Sequence, residues 1–376
     1  MIPVRHFHRI AWVAVILAFG VIFLGGFTRL NNAGLSCPDW PTCYGKVTWP
    51  TTEADIAHAN ANFERAVEVG KAVWEQVHRH MAATLGTLVL VLALLAVRRK
   101  PQGLATVGLG AALVVAAIFA YIKVDHVLAL GLAAAGQVVW LSGIVRWADG
   151  VTRLSVGLLM LVTLQALLGM WTVVWLVKPV IVMSHLMGGL ATFSLLTVLA
   201  WWTTPNAMRV HVDAPRLRML MWIGLALLAV QIALGGWVAS NYAALACGLD
   251  FPKCKGAWWP STDFAEGFVL WRGIGVDYEG GVLDASARAA IQIAHRIGAA
   301  IVSAYFLFLG FRLAFAPGFR TSGITLLVLL CAQVALGIAN VVMGLPLYVA
   351  TAHLLVAVLM LFTVVTLLAR LRSPEA

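Results

Sequence analysis

The chain has 376 residues, of which 61% are hydrophobic and only 11% charged, and its mean hydropathy is +0.91. These values exclude a water-soluble globular domain and define a polytopic membrane protein. The net charge of +10 does not point to nucleic acid, because it follows topology. With the N-terminus placed in the cytoplasm, fourteen of the 26 basic residues fall on inside segments, against only Asp149, Asp213 and Glu375, as the positive-inside rule requires.

Ten apolar stretches are long enough to cross a hydrocarbon layer of roughly 30 Å. The first, near 10–30, reads as an uncleaved start helix: it is long, and Leu30-Asn31-Asn32 is a poor cleavage site. It carries Leu24-Gly25-Gly26 and leads into a polar loop, about 31–75, that holds Cys37, Pro41, Cys43, Gly45 and Trp49-Pro50. The span 76–97 starts at His78-Arg79. Spans 103–122 and 127–146 are separated only by Lys123-Val124-Asp125-His126, and 154–176 carries Gln165 and Gly169. Span 180–202 carries His185. Then the series returns: Leu234-Gly235-Gly236 on 217–238, and a loop at about 239–290 with Cys247, Pro252, Cys254, Gly256 and Trp259-Pro260. His295-Arg296 follows on 291–313, Gln333 and Gly337 on 322–343, and His353 on 347–369.

Helices are the spans such runs allow, because backbone groups in lipid must be satisfied within the segment. The repeat predicts an all-α protein of two four-helix bundles, related by a pseudo-twofold axis along the membrane normal. The interval from His78 to His185 exceeds that from His295 to His353 by about the length of 101–149. That segment reads as an inserted hairpin in an N-terminal unit, 1–203, beside a C-terminal unit, 204–376. The termini lie in the cytoplasm and the cysteine loops on the outer face of a bacterial cytoplasmic (inner) membrane.

A single histidine in an apolar helix reads as a hydrogen bond to a neighbour. Four in matched positions, two per bundle and all toward the outer side, read as ligands. His78 and His295 are expected to open their helices; His185 and His353 follow Pro179 and Pro346. Two imidazoles facing across a bundle suit a heme, whereas zinc wants further cysteine or carboxylate ligands. Gly169, Gly188, Gly189, Gly298 and Gly337 leave room for a flat ring, or equally for helix packing. His80 faces Ile297 in the repeat and reads as a surface or packing residue. His6, His8, His58 and His211 read as terminal or loop residues, and His126 as interfacial.

The pairs Cys37/Cys43 and Cys247/Cys254 fall on the oxidising side, where disulfides persist. Each reads as closing a small loop, with thiol–disulfide exchange as the alternative. Cys331 reads as a small core residue. The repeat has one chemical mismatch: Glu75, three residues before His78, is matched by Gln292 before His295. A carboxylate there either pairs with Arg79 at i, i+4 or moves a proton and stabilises developing positive charge. Because the second bundle folds with glutamine, the functional reading is preferred, with the first bundle as the reacting one.

Gly25 to Leu30, the loop Gly34-Leu35-Ser36-Cys37-Pro38-Asp39-Trp40, Glu75-x-x-His78-Arg79 and the paired late histidines resemble the heme A synthase family. The resemblance covers nearly the whole chain except 101–149. It implies an eight-helix pseudo-twofold protein, from which ten spans depart. It also implies that heme O is oxidised at its C8 methyl, through an alcohol, to the formyl group of heme A for terminal oxidases. His78 and His185 would then ligate heme O, His295 and His353 would ligate a heme b cofactor, Glu75 would be the catalytic acid, and the loop cysteines would form the two pairs named. Implied partners are a heme O synthase, lipid, an electron carrier the sequence does not name, and a second copy of the chain. The alternative is a diheme b-type cytochrome that only transfers electrons. A transporter built from parallel repeats is the weakest reading, for want of mid-membrane charge.

Overall fold

The computed structural model describes residues 6–205, 207 and 215–371. His211, with Arg209 and Asp213 of the same connection, lies outside the described residues, as do Arg5, Arg372 and Glu375 used in the charge count. Twelve helices are described: α1 (Phe7–Leu30), α2 (Glu53–Asn62), α3 (Val69–Val97), α4 (Gly103–Ile122), α5 (His126–Arg146), α6 (Gly150–Val174), α7 (Pro179–Thr203), α8 (Pro215–Ser240), α9 (Phe264–Gly267), α10 (Ala285–Ala314), α11 (Arg320–Val342) and α12 (Leu347–Arg370). All but α2 and α9 are long and apolar enough to cross a membrane. No strand is present among the described residues. The chain is thus the all-helical, ten-span protein its hydropathy predicts.

Local chemistry sets the helix starts. Asp125, Asp149 and Asp284 accept hydrogen bonds from the backbone N–H of Leu128, Thr152 and Ala287 and cap α5, α6 and α10. Pro179 opens α7, where a missing N–H costs nothing. Thr52 and Asp55 form a reciprocal capping box on α2, inside the first long loop; hydropathy alone does not show this helix.

Helices α1, α3, α6 and α7 pack in a closed ring, and α8, α10, α11 and α12 pack in a second. The rings meet where α7 touches α8 and α12, and where α1 touches α12. Helices α4 and α5 pack on each other and lean on α3 and α6 from outside. One expectation is corrected here. His78 and His295 do not open their helices: α3 starts at Val69 and α10 at Ala285, so both histidines lie more than two turns inside. The polar first turns, such as Lys71, Glu75 and Gln76, conceal these starts from a hydropathy reading. Cys331 is likewise exposed on α11, not in the core.

Candidate functional site

Four glycines position the four histidines. A Cβ on Gly25 would lie 2.9 Å from His78 Cε1, on Gly169 3.3 Å from His185, on Gly235 3.2 Å from His295, and on Gly337 3.1 Å from His353. Each pair joins two neighbouring helices of one ring: α1 with α3, α6 with α7, α8 with α10 and α11 with α12. One turn before each glycine stand Val21, Gln165, Gln231 and Gln333. The amide of Gln231 lies 3.1 Å from His295 Nδ1 and donates to the His295 carbonyl. The Gln333 amide lies 3.2 Å from His353 Nε2, and Gln165 fills the space above Gly188. Val21, the apolar counterpart, leaves His78 without such a neighbour.

His78 is within electrostatic range of His185, and His295 of His353. All four rings are half-buried, and Nδ1 of His78, His185 and His353 is buried without a hydrogen-bond partner. Orphaned buried nitrogens of this kind are costly. Among the described residues, no cluster of three or more His, Cys, Asp or Glu could hold a bare metal ion. Two imidazoles across a ring, with glycine walls beside them, do fit a porphyrin, whose iron takes axial imidazoles.

The carboxylate of Glu75 is buried, at 4% exposure. Its Oε2 accepts the Cys37 N–H at 2.9 Å and its Oε1 accepts from Arg79 at 2.6 Å. The i, i+4 pair is therefore real, yet it is half of the environment; the other half is the cysteine loop. Arg79 also donates to the carbonyls of Cys37, Asp39 and Thr42. In the second ring Arg296 grips the carbonyls of Asp250, Pro252 and Lys253, while the buried Gln292 Oε1 has no partner.

Both cysteine pairs are disulfides, Cys37–Cys43 and Cys247–Cys254. Each closes a turn tied by an aspartate: Asp39 accepts from the N–H of Tyr44 and Gly45, and Asp250 from that of Gly256. Gly45 and Gly256 have φ of 74° and 79°, a left-handed backbone that glycine adopts without strain. His6, His58, His80 and His126 are exposed, and His8 is half-buried. Two residues were legible but passed over. Gln231 completes a Gln-x-x-x-Gly pattern visible on α6 and α11, and Lys178 is a lone basic residue beside Pro179.

Ten spans, two helical rings and two facing histidines in each define a membrane protein of the paired-histidine bundle class. A family profile described as COX15-CtaA, cytochrome oxidase assembly protein, matches residues 8–122 and 127–365. The chain belongs to that family, and the match runs through most of 101–149, which the sequence resemblance had left out. A heme A synthase of Shewanella oneidensis is 36% identical over 94% of this chain and 93% of its own length. Proteins of the same description from Methylobacterium radiotolerans and Rhizorhabdus wittichii are 28% and 27% identical, over 96% and 93% of this chain and 88% and 89% of theirs.

Proposed function

We propose that this protein is an oxidoreductase that converts heme O to heme A by oxidising the C8 methyl group to a formyl group. The observation that carries the reading is a buried carboxylate, Glu75, beside one histidine pair, where the otherwise matched ring has Gln292. Family membership and the relatives described as heme A synthases support the reaction. In this reading the protein has two pseudo-twofold-related units, 1–203 and 204–376. It sits in a bacterial cytoplasmic membrane, with both termini inside, as the basic residues of the short connections favour.

His78 and His185 bind the iron of heme O, and His295 and His353 would hold a heme b. When bound, that heme supplies one-electron redox chemistry. In each of two successive two-electron oxidations one C–H of the substrate methyl gives way to C–OH. The oxygen comes from water, and two electrons and two protons leave to an electron carrier and solvent. The resulting geminal diol loses water to leave the formyl group. Glu75, fixed one turn before His78 by Arg79 and the Cys37 N–H, accepts a proton or stabilises positive charge developing at the substrate carbon. The four glycines leave room for the imidazoles, and the disulfide loop covers Glu75. A heme O-producing prenyltransferase and an electron carrier are the partners this reaction needs.

Glu75→Gln copies the second ring. The variant is expected to keep both hemes while heme O accumulates and heme A falls by about 100-fold or more in extracted pigment, the usual range for losing one acid–base group. Normal heme A from that variant would remove Glu75 from the mechanism. Wild-type protein yielding heme b alone, at two per chain, would instead establish the electron-transfer cytochrome.

A further inference from the structure

Lys178 is a buried cation of the first ring that contacts neither Glu75 nor the cysteine loop through any hydrogen bond. It immediately precedes Pro179 at the cysteine-loop end of α7 and is 1% exposed. Its Nζ is buried without a hydrogen-bond partner. Aromatic rings lie against it: Trp271 at 3.3 Å and Trp175 at 5.5 Å from the ring centroids. Those tryptophans pack edge to face with each other, and Trp171 stacks on Trp175. Trp271 belongs to the loop after α9, which crosses to the first ring. Tyr278 N–H donates to the Leu176 carbonyl, and Asp277 and Glu279 pair with Arg65.

An ammonium carries three donors, and aromatic faces satisfy its charge only in part. Burying it without an acceptor is unfavourable, so the arrangement calls for an anion. Position says which one. Lys178 lies seven residues before His185, close to the same face of α7 and about 10 Å nearer the helix start. That distance is on the scale from the iron of a porphyrin to its carboxylates. The helix N-terminus adds its own preference for negative charge. The second ring has Leu345 before the corresponding Pro346, so the feature belongs to one site only.

We propose that Lys178 binds a propionate carboxylate of the porphyrin held between His78 and His185, and so sets the orientation of the substrate in the first ring. The inference rests on the reading of those two histidines as substrate-heme ligands. Lys178 is a positioning residue: it anchors the propionate edge of the ring, one pyrrole of which also bears the reacting C8 methyl, beneath Trp271 from the other half of the chain.

The test is an equilibrium titration of the full chain in detergent, carrying His353→Ala to silence the second ring. Protoheme and its dimethyl ester are the probes, followed by Soret absorbance. The free acid is expected to bind at least about tenfold more tightly than the ester, the usual scale for a charge-assisted hydrogen bond. Lys178→Met should bring that ratio close to one, and Lys178→Arg should preserve most of it. Where Lys178→Met also weakens the ester, the ratio decides, because misfolding affects both probes alike. A ratio unchanged in Lys178→Met overturns the assignment. Adding His185→Ala separates the two layers. If it abolishes binding while the ratio survives Lys178→Met, only Lys178 is misassigned. If it leaves free-acid affinity unchanged, the histidine reading and the proposal both fail.

Discussion

The carboxylate of Glu75 answers to two groups at once, and the matched position shows which contacts the fold needs. In the second ring the terminal nitrogens of Arg296 donate to three loop carbonyls, and no described carboxylate accepts from it as Glu75 does from Arg79; its Nε has no partner. Arg79 also donates to three loop carbonyls, two of them at matched positions (Asp39 with Asp250, Thr42 with Lys253), and adds Glu75. Glu75→Gln should therefore leave Arg79 paired and cost only about 1–3 kcal/mol, the scale of one hydrogen bond to a charged group. Glu75→Leu also orphans the Cys37 N–H and should cost distinctly more. Thermal unfolding in detergent checks this ordering; a glutamine variant as unstable as the leucine one would mean that the charge itself holds the loop. The contrast between Glu75 and Gln292 is legible in the sequence, because the repeat supplies its own comparison. The Cys37 contact is not, since it depends on how a loop folds back over α3.

At the level of the helix pair, the repeated Leu-Gly-Gly divides its labour. The first glycine makes room for the histidine of its own ring. The second meets the other ring: a side chain on Gly26 would run into Leu354, and one on Gly236 into Leu186, each the residue after a histidine. Small residues that let helices approach can be expected from the sequence, but the exchange between rings appears only when the helices are in place. Gly25→Ala should displace the His78 imidazole and empty the first site of heme. Gly26→Ala meets the flexible end of a leucine, which can turn aside, and should keep both hemes at a stability cost of about 1–3 kcal/mol from overpacking. Heme-to-protein ratio and reduced-minus-oxidised spectra measure both. Full pigment in Gly25→Ala, with loss in Gly26→Ala, would reverse the assignment. Spans were legible because lipid demands long apolar runs; the early starts of α3 and α10 were hidden by polar turns that other parts of the protein cover.

Across the whole molecule, the two rings are tied at the cysteine-loop end by Arg29, which donates to the Ala239 carbonyl at 2.6 Å and lies over the Tyr242 ring, and by the loop that carries Trp271. The α4–α5 hairpin takes no part in these ties. Its base is closed by Arg146 on Gln102. The ends of α3 and α6 meet independently of it: Lys100 pairs with Asp149, and Thr152 donates to the Ala96 carbonyl. In the second ring the corresponding helices, α10 and α11, are joined by the short segment 315–319. Excising 101–148 and joining Lys100 to Asp149 through that five-residue sequence should therefore keep the first ring closed. The removal takes two spans, so every later helix retains its direction. It uncovers apolar faces of α3 and α6, but in a bilayer lipid replaces the hairpin with little loss, because hydrocarbon solvates such faces as well as leucine does. Val107, Trp140 and Trp147 leave with the hairpin, as does the Tyr121 ring that packs on Trp40 of the cysteine loop, so the packing they share with the core and the loop is the cost. The shortened protein should retain pigment at both histidine pairs and melt lower than the full chain while remaining cooperative. Selective loss of heme from His78 and His185, with the second pair intact, would show that the hairpin braces the first ring and is part of its site.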